Sequence, residues 1–409
     1  MKLLNVETLT NSRELFKNLL LKLPRNVEYR SLIEARKCIL AEDIYSPIEV
    51  PTFCRSTVDG YAVRSKDTFG ATDSIPGFLT VVEEVAMGEC ATTSLKPGEC
   101  AYVPTGGMLP KDADAMVMIE YCERFDANQI AVNQSVPDGN HVVYPGDDTK
   151  KGELIFKAGQ KLGFSEIGTL ASLGFDVVPV LSPLKAIVYS TGNELCIPGI
   201  PLSIGKVYDS NEYAIATQAK EIGIDVTLGG LILDDDEVLR KTLSKALKDY
   251  DFVFTSGGSS QGKKDMTEQI FSELTGKEVL VHGLALKPGK PTILAWDDEN
   301  KTILLGLPGH PVAASIVFML LVEHAFQTNE VEAKVLASLP INFPSSPGRE
   351  TCVTVKLEQT EEGYVASPVA GSSGLWRVLN DADGYFLIGQ NTEGLKAGSL
   401  VEVHLLKGR

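Results

Sequence analysis

Apolar and polar residues change their rhythm several times along this chain. Near the start, Leu15, Phe16, Leu19, Leu20 and Leu23 recur at close to helical spacing, which predicts a short amphipathic helix over 10–23. Residues 31–40 predict a second helix, leading into a Pro-punctuated stretch that ends at Pro51. From about 46 to 139 the texture is β, with short apolar runs over 77–85, 99–103, 115–119 and 129–132 separated by Gly and Pro turns. Residues 140–183 are mixed again: a Gly-Asp-Asp turn, a short strand at 154–156, and a helix over 165–173 with Gly174 at its expected C-terminal cap.

From 184 onward strand and helix alternate. Strands are predicted at 185–189, within 225–233, at 251–255 and at 302–306, and helices over 213–222, 236–247, 266–274 and 312–326, with Asp236 as an N-cap. Such alternation implies a mostly parallel α/β sheet. The tail turns to β once more at 350–357, 364–367, 385–388 and 400–405, which reads as a small barrel or sandwich. The fold class is multidomain α/β plus β. An elongated domain is expected from 1–45 with 140–183, a β domain inserted at 46–139, an α/β domain at 184–330 and a C-terminal β domain at 331–409.

Composition narrows the function. At 409 residues, two to four domains are expected. A formal net charge of −16 works against nucleic-acid binding, yet local lysines and backbone N–H groups can still hold a small anion. The cysteines Cys38, Cys54, Cys90, Cys100, Cys122, Cys196 and Cys352 are odd in number and none are spaced Cys-x-x-Cys, which points to a reducing cytoplasm. Residues 1–20 are broken by charged and amide side chains, so no signal peptide is expected, and no run of about 18 apolar residues predicts a membrane span.

Chemistry-bearing residues gather at the C-terminal ends of the predicted parallel strands, where open α/β sheets bind ligands. Ser190-Thr191-Gly192-Asn193-Glu194 follows one strand, Ser256-Gly257-Gly258-Ser259 a second, and Pro308-Gly309-His310 a third. Each offers small residues that let a ligand approach the backbone, and two open onto helices whose free N–H groups suit phosphate. Between them, Lys287-Pro288-Gly289-Lys290-Pro291 forms a rigid cationic turn suited to an oxyanion. Carboxylates stand nearby at Glu194, Asp209, Asp234, Asp235, Asp236 and Asp265. Acids beside an anion site make sense when a hard divalent cation lies between the two. The run from Gly257 to Lys263 also satisfies the start of a P-loop, but Lys264 stands where Ser or Thr would hold Mg²⁺.

Taken together in order, several segments resemble the molybdopterin molybdenumtransferases, the family that includes the E domain of gephyrin. They are Ser56-Thr57-Val58-Asp59-Gly60-Tyr61, Pro104-Thr105-Gly106-Gly107, Gly146-Asp147-Asp148, Ser190 to Leu195, Ser256-Gly257-Gly258, Lys287 to Pro291, and Gly306-Leu307-Pro308-Gly309. The resemblance implies an elongated four-domain homodimer that inserts molybdate into adenylylated molybdopterin with release of AMP, assisted by Mg²⁺. It implies catalytic roles for Asp59, Asp148, Glu194, Asp235, Asp265 and Lys287, with Glu194, Asp235 and Asp265 holding the metal. It implies substrate binding by Thr105, Ser190, Thr191, Gly192, Ser256, Gly257, Gly258, Ser259, Lys290, Pro308, Gly309, Arg349 and Ser373. Asp234 and Asp235 are not separated by motif.

The chain departs from the family pattern at Cys54 (usually Asp), at Lys263 and Lys264, at Gly283 (often Lys) and at His310 (usually Asn). These changes shift charge within the cleft and leave molybdate and tungstate both open. Two readings compete. One is a pterin adenylyltransferase, which would not need the extra β modules. The other is a molybdopterin-binding scaffold or paralog without turnover.

Overall fold

Four strands paired in parallel and two joined to them by antiparallel pairing make the central sheet. In the computed structural model, which describes residues 6–126, 128–257, 264–326 and 333–406 without the side chains of Lys264 and Asp265, the order is Asp225–Ile232, Lys185–Thr191, Phe252–Gly257, Thr302–Leu307, Ile293–Asp297 and Val281–His282. The first four pair in parallel and the last two antiparallel. Side chains of a strand alternate between its faces, and both faces here are covered. Ala186, Val188, Phe252, Phe254, Ile303 and Leu305 enter one core, while Ile187, Tyr189, Val253 and Leu304 enter the other. The first core is closed by Ile215, Ala216 and Ala219 of helix Asn211–Glu221 and by the helix that starts at Pro311. The second is closed by Leu239 and Leu243 of helix Asp236–Ala246 and by Ile270 and Phe271 of helix Lys264–Thr275.

The predicted 312–326 helix is continuous but not uniform: α-helical over Pro311–Val317, π-helical over Phe318–Glu323 and α-helical over His324–Phe326. It is apolar on most sides because it is buried on most sides. The antiparallel strands at 281–282 and 293–297 were not predicted; the second is so fully buried that it shows no alternation to read.

Two compact units form, residues 27–181 and the remainder. The N-terminal helix, Leu9–Leu20, was expected to belong with the flanks of the β module. It packs instead on the α/β sheet, where Phe16 is buried and stacks on Phe252 with ring centroids 6.3 Å apart. In the same unit the tail closes into a five-stranded barrel from Lys334–Ser338, Glu350–Thr360, Gly363–Pro368, Gly384–Ile388 and Leu400–Leu405, around Val353, Val355, Phe386, Ile388 and Val403.

The other unit holds a six-stranded sheet in the order Ala115–Met118, Gly60–Val63, Glu99–Val103, Gly77–Glu84, Gln129–Val132, Cys122–Arg124. Strand Val27–Ser31 pairs antiparallel with Val177–Leu181, and Ile44–Tyr45 with Leu154–Phe156. The helix predicted over 31–40 is absent. Leu32, Ala35 and Cys38 do reach the core, which produced the helical spacing. Backbone bonds from Ala35 to Ser31 and from Cys38 to Ala35 close only isolated turns, and Lys37 at φ +69° ends any helical path. Among the described residues, no helix is long and apolar enough to cross a membrane.

Candidate functional site

Three predicted strand ends are locked together by one buried polar network. Asp209 is 3% exposed, and its Oδ1 accepts the Ser190 hydroxyl at 2.8 Å and the N–H groups of Asn211 and Glu212 at 3.0 and 3.3 Å. Asn211 Nδ2 donates to Ser256 Oγ at 2.7 Å and to the Gly309 carbonyl at 2.9 Å, and Ser256 Oγ–H donates to the Pro308 carbonyl at 3.1 Å. Asp209, which looked like a ligand candidate, is therefore the anchor of this network and of the first turn of its helix. Asn211 was overlooked; it stands in the same Asp-Ser-Asn run but carries no charge to draw notice. Burial pushes the neighbouring Glu212 carboxyl upward, and Glu212 Oε1 accepts the Gly230 N–H.

Glycine is required where strands 185–191 and 252–257 end side by side. Gly257 has φ +120°, and a Cβ on it would fall 2.1 Å from the Thr191 carbonyl oxygen. Gly192 is buried under the Glu194 carboxylate, which lies 2.8 Å from the place a Cβ would take. Gly258 and Ser259, and the remainder of the P-loop-like run through Lys263, lie outside the described residues.

The neighbouring acids take separate places. Asp235, not Asp236, caps helix Asp236–Ala246, its Oδ1 accepting the Val238 N–H at 3.0 Å. Asp234 instead faces the Glu194 turn: its Oδ2 accepts the Asn193 N–H and its own N–H donates to Asn193 Oδ1, both at 3.2 Å. Lys206 Nζ donates to the Asn193 carbonyl on the same turn. Among the described residues no group of three or more His, Cys, Asp or Glu side chains is placed to hold a metal; the Asp265 side chain lies outside them.

The cationic turn meets the barrel. Leu286–Lys287 pairs in parallel with the first two residues of strand Glu350–Thr360. Beside it opens a cavity of about 840 Å³ lined by Lys287, Lys290, Pro308, Gly309, Arg349 and Ser373, six residues drawn from four separate motifs. His310, Thr351, Cys352 and Ser372 also line it, and among the described residues no Asp or Glu does. A chain of net charge −16 thus lines one cavity with three cationic residues and, among the described residues, no carboxylate. Burial pushes the Cys352 thiol up to about 12, so it lines the wall as a neutral group.

In the unit of residues 27–181, two predicted residues from distant motifs touch. Asp59 Oδ1 accepts the Thr105 N–H at 2.8 Å, while Gly106 N–H donates to the Ser56 carbonyl and Ser56 N–H to that of Gly107. The next residue, Gly60, lets its strand lie close against Ala115–Met118, since a Cβ there would lie 2.0 Å from the Val117 carbonyl. Asp148 is exposed on the Gly146 turn, its N–H donating to the Val50 carbonyl. Burial, and then the charge of Asp147, push the Cys54 thiol up, so a neutral group stands where the family pattern has a carboxylate.

An α/β sheet with anion-receptive strand ends, followed by a barrel that walls a cationic cavity, defines a protein built to handle an anionic small molecule. Family models agree: the MoeA N-terminal region (domain I and II) matches residues 7–174, a "probable molybdopterin binding domain" matches 187–328, and the MoeA C-terminal region (domain IV) matches 337–406. The chain is 31% identical over 389 residues to a molybdopterin molybdenumtransferase of Bacillus subtilis, covering 93% of this chain and 90% of that one. It is 31% identical over 392 residues to molybdopterin molybdenumtransferase 2 of Mycobacterium tuberculosis, covering 91% and 93%. Two crystal structures of MoeA proteins of molybdopterin biosynthesis from Pyrococcus horikoshii superpose with TM-scores of 0.84 and 0.83, at 37% and 28% identity. They cover 99% and 98% of this chain and all of theirs. The chain belongs to the MoeA family of molybdopterin molybdenumtransferases.

Proposed function

We propose that this protein inserts molybdate into adenylylated molybdopterin and releases AMP. The observation that carries this reading is the cavity lined by Lys287, Lys290 and Arg349, with no carboxylate among the described residues, beside the Ser256 and Pro308-Gly309 strand ends. A tetrahedral dianion needs several converging donors and cations, and molybdate or tungstate is of a size to take them. The pterin dithiolene supplies the soft ligands of the metal, so no protein thiolate is needed, and the neutral Cys352 fits that. Lys287 and the backbone at Ser256 and Gly257 stabilise negative charge as the phosphoanhydride breaks. Asp59, one oxygen of which holds the Thr105 N–H, and the exposed Asp148 are the groups of residues 27–181 that hold or move a proton.

Mg²⁺ fits this donor set in reduced form. Asp234 and Asp235 each have one carboxylate oxygen held by a backbone N–H, Glu194 and Asp234 flank a single turn, and Mg²⁺ commonly takes only one or two carboxylates alongside substrate phosphates. We assign Glu194 with Asp234 as its ligands, with Asp265 as a third candidate. When bound, the ion neutralises phosphoryl oxygens. A homodimer goes with this reading, supported by the exposed apolar residues Ile197, Ile200, Leu202, Ile204 and Val207 of one surface loop, whose ends pair in parallel. A reducing cytoplasm is supported by seven unbridged cysteines. Genetic complementation tests the activity. A bacterial strain lacking its own MoeA protein should regain molybdoenzyme activity when it expresses this chain. Failure to do so, with soluble protein present, would favour the scaffold.

A further inference from the structure

His310 stands where the family pattern has Asn, and its contact in this chain is specific. Its Nδ1 lies 2.8 Å from Ser373 Oγ, 63 residues away in sequence, and both side chains line the cationic cavity. Ser373 is held a second time, because its carbonyl accepts the Val312 N–H at 3.1 Å. The α/β turn and the barrel loop are thus joined at one serine, with only its hydroxyl proton left to be directed.

The polarity of the His310–Ser373 bond decides what that hydroxyl can offer. With Nδ1 unprotonated, the imidazole accepts the Ser373 proton, and Oγ turns only lone pairs to the cavity, which repel an oxyanion. With Nδ1 protonated, the ring donates to Oγ, and the Ser373 O–H is free to donate to an oxyanion. Full protonation of the ring fixes the second arrangement and adds a cation to those of Lys287, Lys290 and Arg349. Among the described residues, the other titratable groups that line the cavity with His310 are Lys287, Lys290, Arg349 and the neutral Cys352 thiol, so none of them is a carboxylate that would compete with a bound anion for the imidazolium.

We propose that His310 is a positioning residue for the oxyanion: it orients the Ser373 hydroxyl and couples oxyanion binding to uptake of one proton. This rests on the reading of the cavity as the oxyanion site. An Asn at this position could hold Ser373 but could not take up the proton.

Calorimetric titration of the full-length protein with sodium molybdate, at constant ionic strength, tests this. Molybdate stays a dianion over the span used, and lysyl and arginyl cations titrate well above it. The wild-type Kd is expected to weaken about tenfold between about pH 6 and about pH 8, where histidine changes charge. His310→Asn should flatten that dependence. Ser373→Ala should weaken binding, and adding His310→Asn to it should cost less than it does alone. His310→Asn with the wild-type affinity and pH slope, or strictly additive effects of the two substitutions, would overturn the proposal while leaving the cavity as the oxyanion site. A wild type that takes up molybdate at neither pH would overturn the cavity reading and the role of His310 with it.

Discussion

The Asp59 carboxylate accepts the backbone N–H of Thr105 at 2.8 Å, joining two motifs 46 residues apart. One oxygen therefore shapes the turn over 104–107, and the other remains for chemistry. This division separates two roles that a single alanine substitution would confound. Asp59→Asn keeps a carbonyl acceptor for Thr105 and removes the charge; Asp59→Ala removes both. Both variants are expected to fold and to lose activity by at least about 100-fold, the usual scale for a group that moves a proton or positions a nucleophile. Circular dichroism with AMP-release assays checks this. An active Asp59→Asn would reduce Asp59 to a turn anchor.

Asp234 and Asp235 should behave differently although they are neighbours. Asp235→Ala removes a helix cap and is expected to cost about 1 kcal/mol of stability, with the Mg²⁺ requirement unchanged. Asp234→Ala should raise the Mg²⁺ concentration needed for half-maximal activity several-fold. A Mg²⁺ titration of each variant decides it; the reverse pattern would return the ligand role to Asp235.

Gly257→Ala is expected to damage folding of the α/β unit rather than affinity alone. The added Cβ would sit 2.1 Å from the Thr191 carbonyl at a backbone φ of +120°. Relief requires the strand ends to part, at an expected cost of about 2–4 kcal/mol. Thermal unfolding should show a clear drop in midpoint, and an unchanged midpoint would show that the strand ends separate freely.

Thiol reactivity should follow burial. Cys100, Cys122 and Cys352 are each pushed up to about 12, because burial disfavours the thiolate, so their reactive fraction stays low until pH rises toward that value. Cys90 is exposed. Alkylation of the native protein near pH 8, read by peptide mass spectrometry, should label Cys90 and spare those three. Unfolding in denaturant should expose all of them.

The long-range plan of the molecule was legible because alternation of strand and helix over 185–307 and short β runs over 77–132 are periodic signals. Val27–Ser31 was hidden because its turn-forming neighbours Leu32, Ala35 and Cys38 mimic one face of a helix. Ile293–Asp297 was hidden because a strand buried on both faces has no alternation. At the candidate site, motifs pointed to residues but not to their partners. The Lys287, Lys290, Arg349 and Ser373 convergence depends on a barrel docking beside the sheet, which no local pattern encodes. Likewise, two adjacent aspartates look alike in sequence, and only the start of the helix at Asp236 tells which of them is its cap.

Molybdate dependence of AMP release bears most directly on the proposed transferase reaction. Purified protein would be mixed with adenylylated molybdopterin and Mg²⁺, with and without molybdate or tungstate, and AMP and pterin-bound metal followed together. AMP release that requires the oxyanion and matches metal incorporation one for one is the expected result, and the preferred oxyanion names the metal. Tight pterin binding with no oxyanion-dependent AMP release would contradict it.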